Sequence, residues 1–170
     1  MEKSIQVINQ MQADKVIEKY AIGGAIGVIF YIEPVLTYDL DIFVLLPRAG
    51  QPLISLSGVY DYLKGKGYKS SREHIIIEGV PVQFIPAYNP LVEEAIDAAK
   101  EIPYQNTSAR VLQLEHLMAI MLQTDRPKDR TRIAQILEEI EVDIKSLTSL
   151  LKRHGLVDKW QEFKRRFYDR

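Results

Sequence analysis

The run LTYDLDIFVLL at residues 36–46 is apolar along most of its length, yet it carries Asp39 and Asp41 near its start. Its length and its aromatic and β-branched content mark a strand covered on both faces, which places it centrally in a sheet. Residues two apart on a strand project from one face, so both carboxylates point the same way, roughly 7 Å apart at the backbone. Two acids on one side of a mostly buried strand are costly to desolvate unless they are paired or bound to a metal. A hard divalent cation, Mg²⁺ or Mn²⁺, accounts for them with oxygen ligands alone. The alternative is a wet face on which the acids keep a sheet edge soluble.

Around this strand the first half of the chain alternates between the two periodicities. Residues 6–20 place Val7, Met11, Val16 and Ile17 at roughly helical spacing. Tyr20-Ala21-Ile22 reads as a short strand ending at Gly23-Gly24, followed by a small-residue helix to Tyr31 that Glu33-Pro34 breaks. Pro47 and Gly50 end the long strand, and residues 53–64 return to helical spacing before Gly65 and Gly67. Residues 74–77 and 80–85 flank Glu78-Gly79, a hairpin signature, although Pro81 is awkward in a central strand. Residues 91–100 form a short amphipathic helix, and 114–122, 130–140, 144–151 and 157–167 show apolar residues three and four apart.

Strands first and helices last predict an α+β fold: a small mixed sheet over residues 1–105, with helices on one face, and a C-terminal helical bundle over 106–170. Residues 102–110 are the expected linker. At 170 residues, with 46% hydrophobic and 26% charged, the chain can bury a core without staples. It has no cysteine, which excludes disulfides and thiolate metal sites and fits a reducing compartment. Residues 1–6 lack the apolar core of a signal peptide, and no apolar run approaches the ~20 residues that span a bilayer. A cytoplasmic protein with no membrane partner is expected. The net charge of −1 gives no global pull toward nucleic acid, so any polyanion site is local.

Gly23-Gly24 closes one element and opens the next, either as a tight turn or as a close approach for a phosphate. The string G-G-A-I-G lacks the G-x-G-x-x-G order of a dinucleotide fingerprint. Taken together, however, the Ile22-Gly23-Gly24-Ala25 turn, a short helix and Thr37-x-Asp39-x-Asp41 resemble the signature of the polymerase-β-like nucleotidyltransferase superfamily. Within it, AIGGAIGVIFYIEPVLTYDLDIFV is most similar to the abortive-infection toxin branch, and Leu114-Glu115-His116-Leu117 through Arg126-Pro127-Lys128-Asp129-Arg130 resembles that branch's C-terminal helical signature. The resemblance implies Mg²⁺-dependent transfer of a nucleoside monophosphate from an NTP to an RNA, protein or small-molecule acceptor. It also implies an antitoxin-type protein partner. By the same resemblance Asp39 and Asp41 are the catalytic pair and metal ligands, and Gly23, Gly24, Thr37 and Lys128 bind the nucleotide.

Three positions depart from the family pattern. Where a third carboxylate is usual on a neighbouring strand, this chain has Val82-Gln83-Phe84; glutamine is a neutral ligand and a poor base. Met121 stands where the helix after Glu115 commonly carries lysine, and Val35-Leu36 where an arginine often precedes the acids. The alternative these departures support is a degenerate, non-catalytic nucleotide-binding or interaction module. Arg126, Lys128 and Arg130 either grip phosphate or form a solvated helix start capped by Asp129. His116 reads as a structural histidine, His74 and His154 have no metal-ligand spacing, and Glu138, Glu139 and Glu141 form a solvated face. The terminal Lys159, Lys164, Arg165, Arg166 and Arg170 share a helix with Trp160, Phe163, Phe167 and Tyr168, which are spaced to dock it.

Overall fold

The fold was described from a computed structural model covering residues 1–31, 39–47 and 54–168. Thr37, Val35-Leu36, Glu33-Pro34, Gly50, Leu53 and Arg170 lie outside the described residues. In chain order the elements are α1 (Glu2–Ala13), β1 (Lys19–Ile22), α2 (Gly24–Ile29), β2 (Leu40–Leu45), α3 (Ser57–Gly65), β3 (Lys69–Ser71), β4 (His74–Ile77), β5 (Val80–Pro86) and α4 (Pro90–Asp97). Then come β6 (Lys100–Tyr104), β7 (Thr107–Val111), α5 (Leu114–Thr124), α6 (Pro127–Glu139), α7 (Ile144–Arg153) and α8 (Val157–Phe163), which runs into a π-helical turn, Lys164–Tyr168.

Seven strands form one mixed sheet in the order β3-β4-β5-β2-β1-β7-β6. β2 sits at its centre, parallel to β5 and antiparallel to β1. Strand alternation sorts β2 into two faces. Leu40, Ile42 and Val44 pack with Ile5, Ile8 and Met11 of α1 and Val59 and Leu63 of α3. Phe43 and Leu45 face the opposite core, made by α4, α5 and the C-terminal helices. Helices therefore cover both faces, not one: α1 and α3 carry their own apolar stripes and need a sheet surface to bury them. Asp41 lies on the α5 side, where apolar cover gives way to a cleft.

The stretch expected as a linker is instead the β6–β7 hairpin, which extends the sheet on its far edge. Only Ile22–Val111 register ties β7 to β1, but Arg110 reinforces the join: its Nε donates to the Tyr20 carbonyl and its Nη2 to the Ile96 carbonyl. Pro103 is tolerated in β6 because an edge strand has a side with no ladder bonds to make. Pro81 is tolerated in β5 because it pairs only with Ile76 of β4, and the ladder to β2 begins one residue later, at Val82.

On the helical side Glu94 ties three helices together. From α4 its carboxylate accepts from Arg153 and from His154 Nε2 (2.7 Å), both at the end of α7, and meets His116 Nε2 of α5 at 3.3 Å. Burial pushes the Glu94 pKa up, but the hydrogen bonds from Arg153, His154 and His116 outweigh it and hold the group at about 2. A depressed folded pKa means the stabilisation is full above the ordinary 4.5 and is lost as pH falls toward about 2. Glu94→Gln is expected to cost about 1 kcal/mol at pH 7, a modest figure because the side chain is 34% exposed and screened. Urea melts of the two proteins should differ at pH 7 and converge as pH drops below 4.5. A constant gap across that range would exclude Glu94 ionisation as the source.

Candidate functional site

β2 carries Asp41, with Asp39 one residue before the strand begins. β5 lies beside it in parallel register, so Gln83 stands directly next to Asp41. These three side chains and Gly24 line one open cleft with a cavity volume of ≈ 350 Å³, within the size range of small-ligand sites. Phe43, Ile85, Leu117 and Met121 supply its apolar wall. The far wall is polar: Thr124, Arg126, Lys128, Asp129 and Arg132, from the α5–α6 junction.

The Gly23-Gly24 pair divides its work between packing and the cleft. Gly24 has φ +56°, and a Cβ there would come within 1.9 Å of Asp41 Oδ2. The carboxylate can occupy its position only because that residue has no side chain. Gly23 turns toward the core: a Cβ on it would strike the Phe43 ring at 2.4 Å and Leu112 at 3.0 Å. Its amide donates to the Asp41 carbonyl at 3.0 Å, which fixes the turn against β2.

The basic wall is built around Asp129, which is fully buried. Asp129 does not cap α6. Arg126 occupies the N-cap position and Pro127 the first turn, so Asp129 falls inside the helix and points back. It accepts from Arg126 Nε (2.7 Å), Arg126 Nη2 (3.2 Å) and Thr124 Oγ1 (2.9 Å), with Arg132 Nη1 at 3.9 Å. Two guanidinium groups are thereby held at the cleft, and Lys128 joins them. Arg130, grouped with these from the sequence, points elsewhere: it pairs with Asp125 at 2.7 Å and lies over the Phe167 ring. Arg132 lies outside the basic string Arg126-Pro127-Lys128-Asp129-Arg130, yet it follows Lys128 by four residues and so shares its helix face.

Acidic and basic walls sense one another. Burial raises the Asp41 pKa above its ordinary 3.8; Lys128 draws it down, Asp39 pushes it up, and Arg126 and Arg132 draw it down. Burial prevails, so ionised Asp41 is a net cost to the fold. A raised folded pKa leaves its stabilising share present below pH 3.8 and lost as pH rises through the folded value. Asp41→Asn is expected to melt at a higher temperature than the native protein at pH 7 in EDTA. An equal or lower melting temperature in scanning fluorimetry would mean that the three cations already offset the burial.

The acids fit a divalent cation to a limited extent. Among the described residues no group of three or more His, Cys, Asp or Glu side chains is arranged to hold a metal. A cation here would rest on Asp39 and Asp41, with Gln83 as a neutral oxygen donor and the remaining positions open to water or a ligand, a habit of Mg²⁺. His74 Nε2 lies 3.7 Å from Asp39 Oδ2, a proximity its sequence spacing did not suggest. His116 is buried as expected of a structural histidine, and burial holds its pKa below the ordinary range despite Glu94.

No protein-family model matches the chain, and no curated protein matches it. Among solved structures it resembles the crystal structure of an antigenic nucleotidyltransferase-like protein from Paracoccidioides brasiliensis, with a TM-score of 0.57 and 13% sequence identity. The alignment covers 96% of this chain and 93% of that one. At this identity the likeness is one of fold: an α+β, nucleotidyltransferase-like fold that includes the C-terminal helices.

Proposed function

We propose that the chain binds a nucleoside triphosphate with Mg²⁺, or Mn²⁺, in the cleft between β2 and the α5–α6 junction. The observation that carries this reading is the opposition of Asp39 and Asp41 to Arg126, Lys128 and Arg132 across a single cavity. A triphosphate is polyanionic, so it needs cations on one side and a divalent ion between itself and any carboxylates on the other. Gly24 lines the cleft and makes room for the Asp41 carboxylate, and Gly23 fixes the turn that places it there. Thr37, just upstream, is the remaining nucleotide contact that the motif supplies.

The chemistry proposed is transfer of a nucleoside monophosphate from the NTP to an RNA, protein or small-molecule acceptor: an acceptor oxygen bonds the α-phosphorus, the α–β phosphoanhydride breaks, and pyrophosphate leaves. Mg²⁺ would supply neutralisation of phosphate charge. Lys128, Arg126 and Arg132 hold the phosphates in line, and Asp129 keeps the two arginines from collapsing onto the acids. The apolar wall of Phe43, Ile85 and Met121 limits water on that side of the cleft. The motif likeness of residues 21–44 supports the abortive-infection toxin branch, and with it a cytoplasmic setting and an antitoxin-type partner. No helix among the described residues is long and apolar enough to cross a membrane.

A second reading is favoured by two side chains in the cleft itself. Gln83 stands beside Asp41 where a carboxylate would accept a proton, and Met121 contributes no charge. A protein so built binds a nucleotide and turns it over slowly or not at all. Isothermal titration separates binding from its absence: NTP binding in Mg²⁺ should weaken at least tenfold in EDTA, in Asp39→Asn and in Asp41→Asn. Binding indifferent to EDTA and to both substitutions would sink the metal-dependent reading.

A further inference from the structure

The phosphate-facing groups occupy one wall of the cleft, and one lining residue has no part in that scheme. Tyr88 lines the same cavity, yet 48% of its surface is exposed. Large exposed apolar side chains among the described residues are few: Ile54, Tyr88, Ile144 and Phe167, and of these only Tyr88 borders the cleft. Phe167 has both a ring partner, Phe163, and a cation, Arg130, against it. Among the described residues Tyr88 has no aromatic neighbour, and no hydrogen bond holds its hydroxyl.

The backbone on either side of Tyr88 is nonetheless fixed. The Ala87 amide donates to the Val44 carbonyl at 2.9 Å, which ties the end of β5 to β2. On the other side Asn89 caps α4: its Oδ1 accepts from the Val92 amide at 2.9 Å, and its Nδ2 donates to Gln123 Oε1 of α5 at 2.7 Å. A half-exposed ring on an anchored backbone, at the rim of a polar cleft, is suited to serve as a preorganised stacking surface. Burial raises the pKa of its hydroxyl, while Arg126 lowers it, so the ring stands close enough to the basic wall to sense it.

We infer that Tyr88 is the platform on which the nucleobase stacks when the triphosphate is held by Arg126, Lys128 and Arg132. This inference rests on the nucleotide reading and adds to it the class of group at the rim: a planar aromatic base. Stacking on a π-face is sequence-tolerant, so Tyr88 contributes affinity for any base and does not choose among the four. The hydroxyl is dispensable to stacking and the ring is not.

Binding is measured by titration calorimetry in Mg²⁺ for ATP, GTP, CTP, UTP and inorganic tripolyphosphate, which has phosphates but no base. Tyr88→Ala should weaken binding of the nucleotides about tenfold and leave tripolyphosphate within twofold, while Tyr88→Phe binds both as the native chain does. Arg132→Gln, in contrast, should weaken both ligand classes. Equal loss of nucleotide and tripolyphosphate in Tyr88→Ala would assign Tyr88 a structural role and overturn the inference, as would unchanged nucleotide affinity. Tyr88→Phe behaving like Tyr88→Ala would overturn it too, by assigning the effect to the hydroxyl. If the native chain binds tripolyphosphate as tightly as every nucleotide, the base platform fails but the phosphate cleft stands. If it binds neither, both readings fall.

Discussion

Arg126→Ala is expected to cost about 3 kcal/mol of stability at pH 7, seen as a fall in melting temperature of roughly 6–12 °C. The loss comes less from the arginine than from what it leaves behind. Asp129 is fully buried, and Arg126 supplies both of its charged hydrogen bonds. Without them Asp129 keeps the Thr124 hydroxyl at 2.9 Å and Arg132 at 3.9 Å, too little to offset a desolvated carboxylate. Those two remaining partners place the estimate at the low end for a broken buried pair. The reverse deletion is milder, because the Arg126 side chain is 55% exposed and water resolvates it. Asp129→Ala should therefore destabilise less than Arg126→Ala, and the double variant should recover part of the loss. A double variant at least as unstable as Arg126→Ala would show that lost packing, not a stranded charge, sets the cost.

The parts of the fold that were readable share a physical reason: their burial pattern is written in their own residues. β2 alternates between two cores, so apolar residues fill nearly every position and Asp41, with Asp39 just before the strand, stands out. The β4–β5 hairpin announces itself through Glu78-Gly79, both of which adopt positive φ in the turn. α1 was displaced because Val16 and Ile17 prolong its apolar pattern, whereas Lys15 at φ +58° ends the helix and turns the chain toward β1. The β6–β7 hairpin was invisible for the opposite reason. β6 is a five-residue edge strand with only Ile102 and Tyr104 half-buried, so its alternation is too short to stand out and Pro103 interrupts it. Its turn places Gln105 at φ +53°, a conformation that turn rules look for in Asn or Gly.

The candidate site divides along the same line. The acidic wall is readable because the extended chain runs from Asp39 into β2, and two residues on, Asp41 reaches the same cleft. Gln83 was found by its string, and pairing with Asp41 gives it a place. The basic wall required the right helix start. With the helix begun near Arg130, the sequence suggests Arg126, Lys128 and Arg130 as one cluster. Pro127 at the first turn resets the count: Lys128 and Arg132 share the cleft, while Arg130 faces Asp125. Tyr88 carried no sequence signal, since a lone aromatic between a strand and a helix cap fits the core equally well.

Gln83→Asp is expected to raise nucleoside monophosphate transfer at least tenfold over the native chain, a cautious fraction of the roughly 10²–10⁴-fold that a positioned general base contributes. The register makes the substitution local: Gln83 and Asp41 are paired on adjacent parallel strands, about 4.8 Å apart, and both face the cleft. An aspartate there adds a negative oxygen ligand for a divalent cation and a group able to accept the acceptor's proton. It also crowds three carboxylates at a site where burial and Asp39 already raise the Asp41 pKa. Gln83→Asp should therefore melt lower than the native chain in EDTA and regain that loss in Mg²⁺, a readout that needs no acceptor. Transfer is followed as label moving from α-³²P NTPs to total RNA and to protein, with Asp41→Asn as the inactive comparison. Native transfer as fast as Gln83→Asp, and abolished in Asp41→Asn, would show that the neutral side chain is no handicap and that the non-catalytic reading is wrong. If Mg²⁺ restores no stability to Gln83→Asp, the third carboxylate does not meet a cation, and the placement of metal between β2 and β5 fails with it.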